Sequence, residues 1–338
     1  MPDNHLKNDV VSSQLGLESL TKFSLKEFLS GTFAPHSWGE FESRLSVGSP
    51  NTTPALDISM GDFPKPWMFV RIMLGTLLGY SILLFLLTSY QQSALTTLPA
   101  FIFYGCFIVP FAVMTLFFEM NTVCDVSMVM LSKILMIGGA IAFLATFLLG
   151  TFFPVIYKMY EAAGAGIIEE LAKLLVIIFY ARNVIHTKHQ FSLAGLLYGA
   201  AVGTGFAAFE SAGYALNVGL QENSFAAVNE SILLRGLLAP FTHIVWSAIA
   251  GGALWVAYGH SKTKTFMSAI ISTRFLSLFI ISVGLHFLWD SDVTEYFGLP
   301  SNLYLAPYFV WGVIAWALVF RLAATGYREI RLACLQKI

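Results

Sequence analysis

An all-α membrane bundle is the fold this sequence predicts, and three observations predict it. Hydrophobic residues make up 57% of the 338 residues and charged residues only 12%, with a mean hydropathy of +0.71, whereas soluble domains carry about 25% charge. The apolar residues gather into stretches of the length, about 20 residues, that crosses a bilayer core of about 30 Å. In lipid such stretches must be helices, because an open sheet edge would leave backbone polar groups unsatisfied.

Taken in order, residues 1–62 are polar, mixed in charge and rich in Ser, Thr, Asn and Pro. They form either a small soluble appendage or a partly disordered arm, with one short helix expected over Ser24–Phe33. Pro64-Lys65-Pro66 marks the arrival at the membrane. The membrane domain, 63–323, is expected to hold eight spans: Trp67–Tyr90, Leu98–Phe118, Lys133–Ile156, Ala162–Ala181, Ser192–Asn217, Ile232–Tyr258, Phe266–Trp289 and Tyr304–Leu322. Since the first apolar run begins near Trp67, no cleavable signal peptide is expected ahead of it. Residues 324–338 form a short basic tail, in which Arg328, Arg331 and Lys337 alternate with Ile330, Leu332 and Leu335. That pattern suits an interfacial helix on the inner leaflet or a short solvated tail.

Lys and Arg set the orientation. Lys7, Lys22, Lys26, Arg44 and Lys65 precede the first span; Arg182 and Lys188 follow the fourth; Lys262 and Lys264 follow the sixth; Arg321, Arg328, Arg331 and Lys337 close the chain. The alternate loops hold Lys158, Glu222, Glu230, Asp290, Asp292 and Glu295 instead. A multi-pass protein of the cell membrane with both termini cytoplasmic fits this alternation. The loop after the second span fits least, with Lys133 at its edge beside Glu119 and Asp125, which read as a solvated cap or loop anchor.

A net charge of −1 argues against a nucleic-acid partner, and Cys106, Cys124 and Cys334 lack the spacing of a disulfide framework or a cysteine metal site. Ionisable groups inside the spans are a different matter, because a charge in the hydrocarbon costs several kcal/mol unless paired or facing a polar cavity. The fourth span carries Glu169 and Glu170, the fifth Glu210, the sixth His243 and the seventh His286. Each histidine opens the same short pattern, His243-Ile244-Val245-Trp246-Ser247 and His286-Phe287-Leu288-Trp289-Asp290. At about 1.5 Å per residue these groups lie about 5–17 Å below the outer boundary, so all fall in the outer half of the bilayer. Any one of them alone would read as packing or an interhelical hydrogen bond. Four helices placing carboxylates and imidazoles in one layer point instead to a catalytic or ion-handling site.

Local geometry adds detail. Lys173 lies one turn after Glu169 and Glu170 and can neutralise the pair. Pro240, three residues before His243, predicts a kink in the sixth span. Gly195, Gly199, Gly203 and Gly205, with the alanines between them, make the fifth span a close-packing helix. Arg235 and Arg274 sit near span ends, where they can snorkel, and receive no chemistry.

Glu-Glu-x-x-Lys at Glu169–Lys173, Gly-Phe-x-x-Phe-Glu at Gly205–Glu210 and the two His-x-x-Trp stretches resemble, in order, the motifs of the PrsW family of intramembrane proteases, distant relatives of the CAAX prenyl proteases. The resemblance covers about Phe117 to Asp290; where many relatives follow the second-motif glutamate with Asn, this chain has Ser211. It implies hydrolysis of a peptide bond in a membrane-anchored protein on the extracytoplasmic side, such as site-1 cleavage of an anti-sigma-type regulator. In that reading Glu169, with Glu170 beside it, is the base, and Glu210, His243 and His286 hold a divalent metal, zinc being the expected ion. Without metal the two histidines would orient water and donate to the oxyanion. The sequence lacks His-Glu-x-x-His, so it does not predict an ordinary zincin. The alternative of a different class is an ion- or proton-coupled transporter or channel using the same carboxylates as a relay.

Overall fold

A computed structural model describes residues 24–49, 51–89, 94–185, 191–261, 265–291, 293–300 and 303–336. Lys7, Lys22, Lys188, Lys262, Lys264, Asp292 and Lys337, on which the charge asymmetry partly rests, lie outside the described residues. The chain is all-helical, 83% helix with no strands among the described residues. The helices are α1 (Trp38–Leu45), α2 (Met68–Ser89), α3 (Ala94–Met120), α4 (Met128–Phe152), α5 (Pro154–Tyr160), α6 (Gly164–Ala181), α7 (Ser192–Glu222), α8 (Phe225–Leu238), α9 (His243–His260), α10 (Thr273–Trp289) and α11 (Ala306–Leu335).

Among the described residues, six stretches are long and apolar enough to cross a membrane: α2, Thr97–Met120 of α3, α4, α7, Phe225–His260 (α8 with α9) and α11. The sequence suggested eight. The difference lies in the helices that carry the polar residues. α6 holds Glu169, Glu170 and Lys173 within 18 residues, and α10 is a shorter apolar helix of 17 residues, separated from a turn of helix at Phe266–Ile270. Chemistry has been bought here at the expense of the hydropathy signal.

The bundle is layered around α7 and α9, whose buried residues form the centre of the main core. The small residues of α7 are the reason. A Cβ on Gly199 would collide with the Ser247 carbonyl, and one on Gly203 with the carbonyl of His243, so only glycine lets the two backbones come together. α2 and α3 with part of α8 make a second, smaller core containing Tyr80, Phe101 and Ile232.

The N-terminal segment from Ser24 onward folds against one end of the bundle. The expected short helix is present as Leu25–Phe28 followed by a 3-10 turn to Phe33. α1 is closed by a capping box in which Ser37 and Glu40 exchange side-chain and backbone hydrogen bonds. His36 stacks on Trp67 with ring centroids 4.0 Å apart, Arg71 donates to the Ala34 carbonyl at 2.7 Å, Thr122 donates to the Met60 carbonyl at 2.6 Å, and Arg331 pairs with Asp62. At the other end of the chain α11 runs without a break to Leu335, burying Tyr327 and Ile330. Residues 324–335 are therefore the last turns of α11. Glu329, on those turns, accepts from the backbone nitrogen of Ser192 at 2.8 Å and closes the N-terminus of α7.

Glu119 is buried, 3% exposed, and accepts from the backbone nitrogens of Trp67, Met68 and Phe69 at 2.7, 2.9 and 3.0 Å. It anchors the start of α2 from inside the protein, which fits the anchor alternative of the sequence reading and not the solvated cap. Three donors at a helix start need an acceptor, and the carboxylate is a favourable one. Glu119→Ala is expected to cost about 2–4 kcal/mol, because the donors stay buried without a partner. A thermal melt of the detergent-solubilised variant against wild type checks this, and an unchanged midpoint refutes it.

Candidate active site

Four helices supply the site, each for a local reason. On α6, Gly166 lies against α10 so closely that a Cβ would stand 2.7 Å from the Phe287 backbone nitrogen, and this approach brings Glu169 and Glu170, one turn on, to His286. The kink expected at Pro240 is a full break. α8 stops at Leu238, a 3-10 turn spans Ala239–Phe241, and α9 begins at His243 itself. Trp316 of α11 fixes the turn by donating to the Pro240 carbonyl at 2.9 Å. The imidazole of His243 therefore sits at a helix start, held against α7 by the glycine contact at Gly203.

The five residues singled out in the sequence come together. Glu169 Oε2 is 3.9 Å from His243 Nδ1 and 3.7 Å from His286 Nε2. Glu170 Oε1 is 2.9 Å from His286 Nδ1, and Glu210 Oε2 is 2.9 Å from His243 Nε2. Each histidine thus has one nitrogen on a carboxylate, while the other faces Glu169 across a closer neighbour, Lys173 Nζ for His243 Nδ1 and Asp290 Oδ2 for His286 Nε2. The rings are 4.9 Å apart, and Trp246 stacks on His286 at 4.4 Å, so the two His-x-x-Trp stretches interlock. Lys173, completely buried, lies 2.5 Å from Glu170 Oε1, 3.9 Å from Glu169 Oε2 and 2.9 Å from His243 Nδ1, with the Phe206 ring 4.3 Å from its ammonium.

Two participants carry no role in the sequence reading. Arg235 does not snorkel: its Nη2 is 2.5 Å from Glu210 Oε2, its Nε donates to Ser211 Oγ at 2.9 Å, and its guanidinium lies 4.2 Å from the Tyr214 ring centre. Asp290 Oδ2 stands 3.1 Å from His286 Nε2. The one sequence signal for Arg235 is a cation within the stretch that also carries His243. Its position near a predicted span end concealed it, because a cation there can reach the interface, whereas here α8 lies beside α7 and brings Arg235 to Glu210 and Ser211.

The cluster lines a cavity of ≈ 250 Å³ whose wall includes Glu169, Glu210, Arg235, Thr242, His243 and Asp290. Among the described residues, the group whose ligand atoms lie within 4.8 Å of one another, close enough to share one ion, is Glu169, His243 and His286. The set read from sequence had Glu210 in place of Glu169. Glu210 is already engaged by Arg235 and His243, whereas Glu169 Oε2 is buried without a hydrogen-bond partner. Charge also favours a cation here. Four carboxylates, Glu169, Glu170, Glu210 and Asp290, face two cationic side chains, Lys173 and Arg235, a surplus of negative charge that a divalent ion would offset. The donor set of two imidazoles and a carboxylate suits zinc and similar ions.

Buried carboxylates and imidazoles beside a cavity, inside a bundle of apolar helices, define a polar cluster within a membrane protein. Residues 125–321, more than half of the chain, match the PrsW-protease family, described as PrsW family intramembrane metalloprotease. The chain belongs to that family, and it is accordingly a peptidase of the multi-pass membrane class. No curated protein and no solved structure matches it. The family match disfavours the transporter alternative.

Proposed function

We propose that the Glu169–His243–His286 cluster hydrolyses a peptide bond of a membrane-anchored protein, on the outer side of the cell membrane, with both chain termini in the cytoplasm. The observation that carries this reading is the open Oε2 of Glu169, buried, unpartnered and facing two imidazoles on a cavity wall. Peptide hydrolysis needs a bound water, a base for its proton and donors for the developing oxyanion. Glu169 takes the water proton. Arg235 has five N–H donors and spends two of them on Ser211 and Glu210, which leaves donors for the oxyanion at the cavity wall. Glu170 and Glu210, each on one imidazole nitrogen, fix the ring orientation of His286 and His243.

A divalent ion, for which we propose zinc, would be held by Glu169, His243 and His286, and when bound it would lower the pKa of a coordinated water to about 7. A carboxylate has two oxygens, so ligation through one leaves the other for the proton. Lys173 would release His243 Nδ1 and keep its closer partner Glu170. The segment 1–62 is proposed to lie on the cytoplasmic side, and the anti-sigma-type regulator is the substrate class that the proposed outward site suits.

Elemental analysis tests the ligand set. About one metal per chain is expected in wild type, with loss in the double variant His243→Ala/His286→Ala, since three protein ligands define such a site. In liposomes, wild type is expected to release the outer domain of a single-pass reporter and to lose this activity with a membrane-permeant chelator. Full cleavage by metal-free protein would reject the metal, and release of the inner domain would reverse the orientation.

A further inference from the structure

The site has a second opening. A groove of ≈ 870 Å³ runs from Tyr157, Ala165, Glu169, Glu210 and Tyr214, which it shares with the cavity described above, out between α4 and α7 past Phe143, Thr146, Gly150, Gly213 and Asn217. α4 and α7 approach backbone to backbone where Leu135 and Gly139 meet Gly205, and the groove lies further along α4, from Phe143 to Thr151. The face of α4 beside it is exposed and apolar, with Leu144, Phe147, Leu148 and Phe152 each at least 60% exposed, so the mouth opens on the hydrocarbon side of the bundle. Inside, the walls are mixed. Aromatic rings alternate with Thr146, Thr151 and Asn217, and the buried carboxylate of Glu169, whose Oε2 has no hydrogen-bond partner, stands at the inner end.

Resting on the proteolytic reading of the site, we infer that this groove seats an unwound apolar segment of the substrate's membrane helix, which arrives sideways from the lipid and lays its scissile peptide against Glu169. Peptide chemistry, as opposed to a lipid tail, follows from the lining. An acyl chain uses no hydrogen bonds, whereas a backbone freed from its helix must find partners in a medium without water. Asn217 offers its amide N–H groups, because its oxygen already accepts from Gln221. The Thr146 and Thr151 hydroxyls, which donate to their own helix, keep lone pairs for a substrate N–H. Gly213 sets the clearance: a Cβ there meets nothing within 4 Å, so the space beside it is free for a substrate side chain.

That clearance supplies the test. Gly213→Trp places a bulky ring at the groove from a Cβ that meets nothing within 4 Å, while Gly213→Ala leaves it open. Both are compared with wild type and Glu169→Gln in liposomes made from membranes of cells lacking the protein, and released outer domains are identified by mass spectrometry. The chain already carries seven tryptophans, so the extra quenching by brominated lipid in Gly213→Trp relative to wild type reports whether position 213 faces lipid, and a melting curve reports folding. Gly213→Trp is expected to lower the rate of release about tenfold or more with an unchanged melting point, and Gly213→Ala to match wild type within about twofold. Release by Gly213→Trp at the wild-type rate overturns the groove and leaves the proteolytic reading standing. Failure of wild type to release anything that Glu169→Gln does not overturns the proteolytic reading itself. Should Gly213→Trp fold poorly, Asn217→Phe, at an exposed position on the same wall, carries the same expectation.

Discussion

Glu169→Gln is expected to abolish cleavage, with a loss of about 10³-fold or more in kcat/KM, because a positioned base alone contributes about 10²–10⁴-fold. Gln has the volume of Glu and keeps its place on α6, but it cannot take a proton and is a poor metal ligand. The variant should therefore insert and purify as wild type does and still fail in the chemistry. Because Glu169 faces both imidazoles, its loss and that of His286 act on one unit. The double variant Glu169→Gln/His286→Ala should be little worse than either single one. Reporter cleavage in liposomes measures this, and normal cleavage by Glu169→Gln would remove the residue from the centre of the site.

Lys173→Met is expected to act through stability first. The ammonium is enclosed by Glu170, Glu169, His243 and the Phe206 ring, with no exposure to solvent. Removing one partner of a buried pair leaves the other charge uncompensated, at a cost of about 3–5 kcal/mol. Glu170 bears that cost, since it is as deeply buried and has only His286 left. The double variant Lys173→Met/Glu170→Gln removes both charges and should recover most of the lost stability while remaining inactive. Thermal unfolding in detergent separates the cases. A Lys173→Met protein as stable as wild type would mean that Glu170 is neutral in the folded protein.

The parts of this architecture that were legible in the sequence are those that hydropathy makes conspicuous. Glu169, Glu170, Glu210, His243 and His286 stand out because each interrupts an apolar run, and they converge as their common layer predicts. The close packing of α7 was legible in Gly199 and Gly203, and the irregularity before His243 in Pro240. Which carboxylate meets which histidine was not. That depends on the rotation of each helix about its axis, and the break at Ala239–Phe241 resets the rotation of α9 relative to α8. The same break turns Arg235 from an apparent interfacial cation into the partner of Glu210.

Of the two readings of Glu119, the solvated cap failed for a related reason. A carboxylate at a span end ordinarily reaches water, and nothing local reveals that the start of α2, some fifty residues earlier in the chain, arrives to claim it. Of the eight spans read from sequence, six are long and apolar enough among the described residues; α6 and α10, apolar on either side of their polar residues, differ from the six in charge and length.

The backbone contact of α7 with α9 has a mechanical meaning. Where two helices touch through glycines, neither can roll or slide without a collision, so Glu210 and His243 belong to a single stiff block. Glu169, Glu170 and His286 ride on α6 and α10, which are clamped to each other through Gly166 and make a second block. The two are joined where Lys173 of α6 reaches His243 and where Trp246 of α9 stacks on His286, so a shift of either block is felt at both imidazoles.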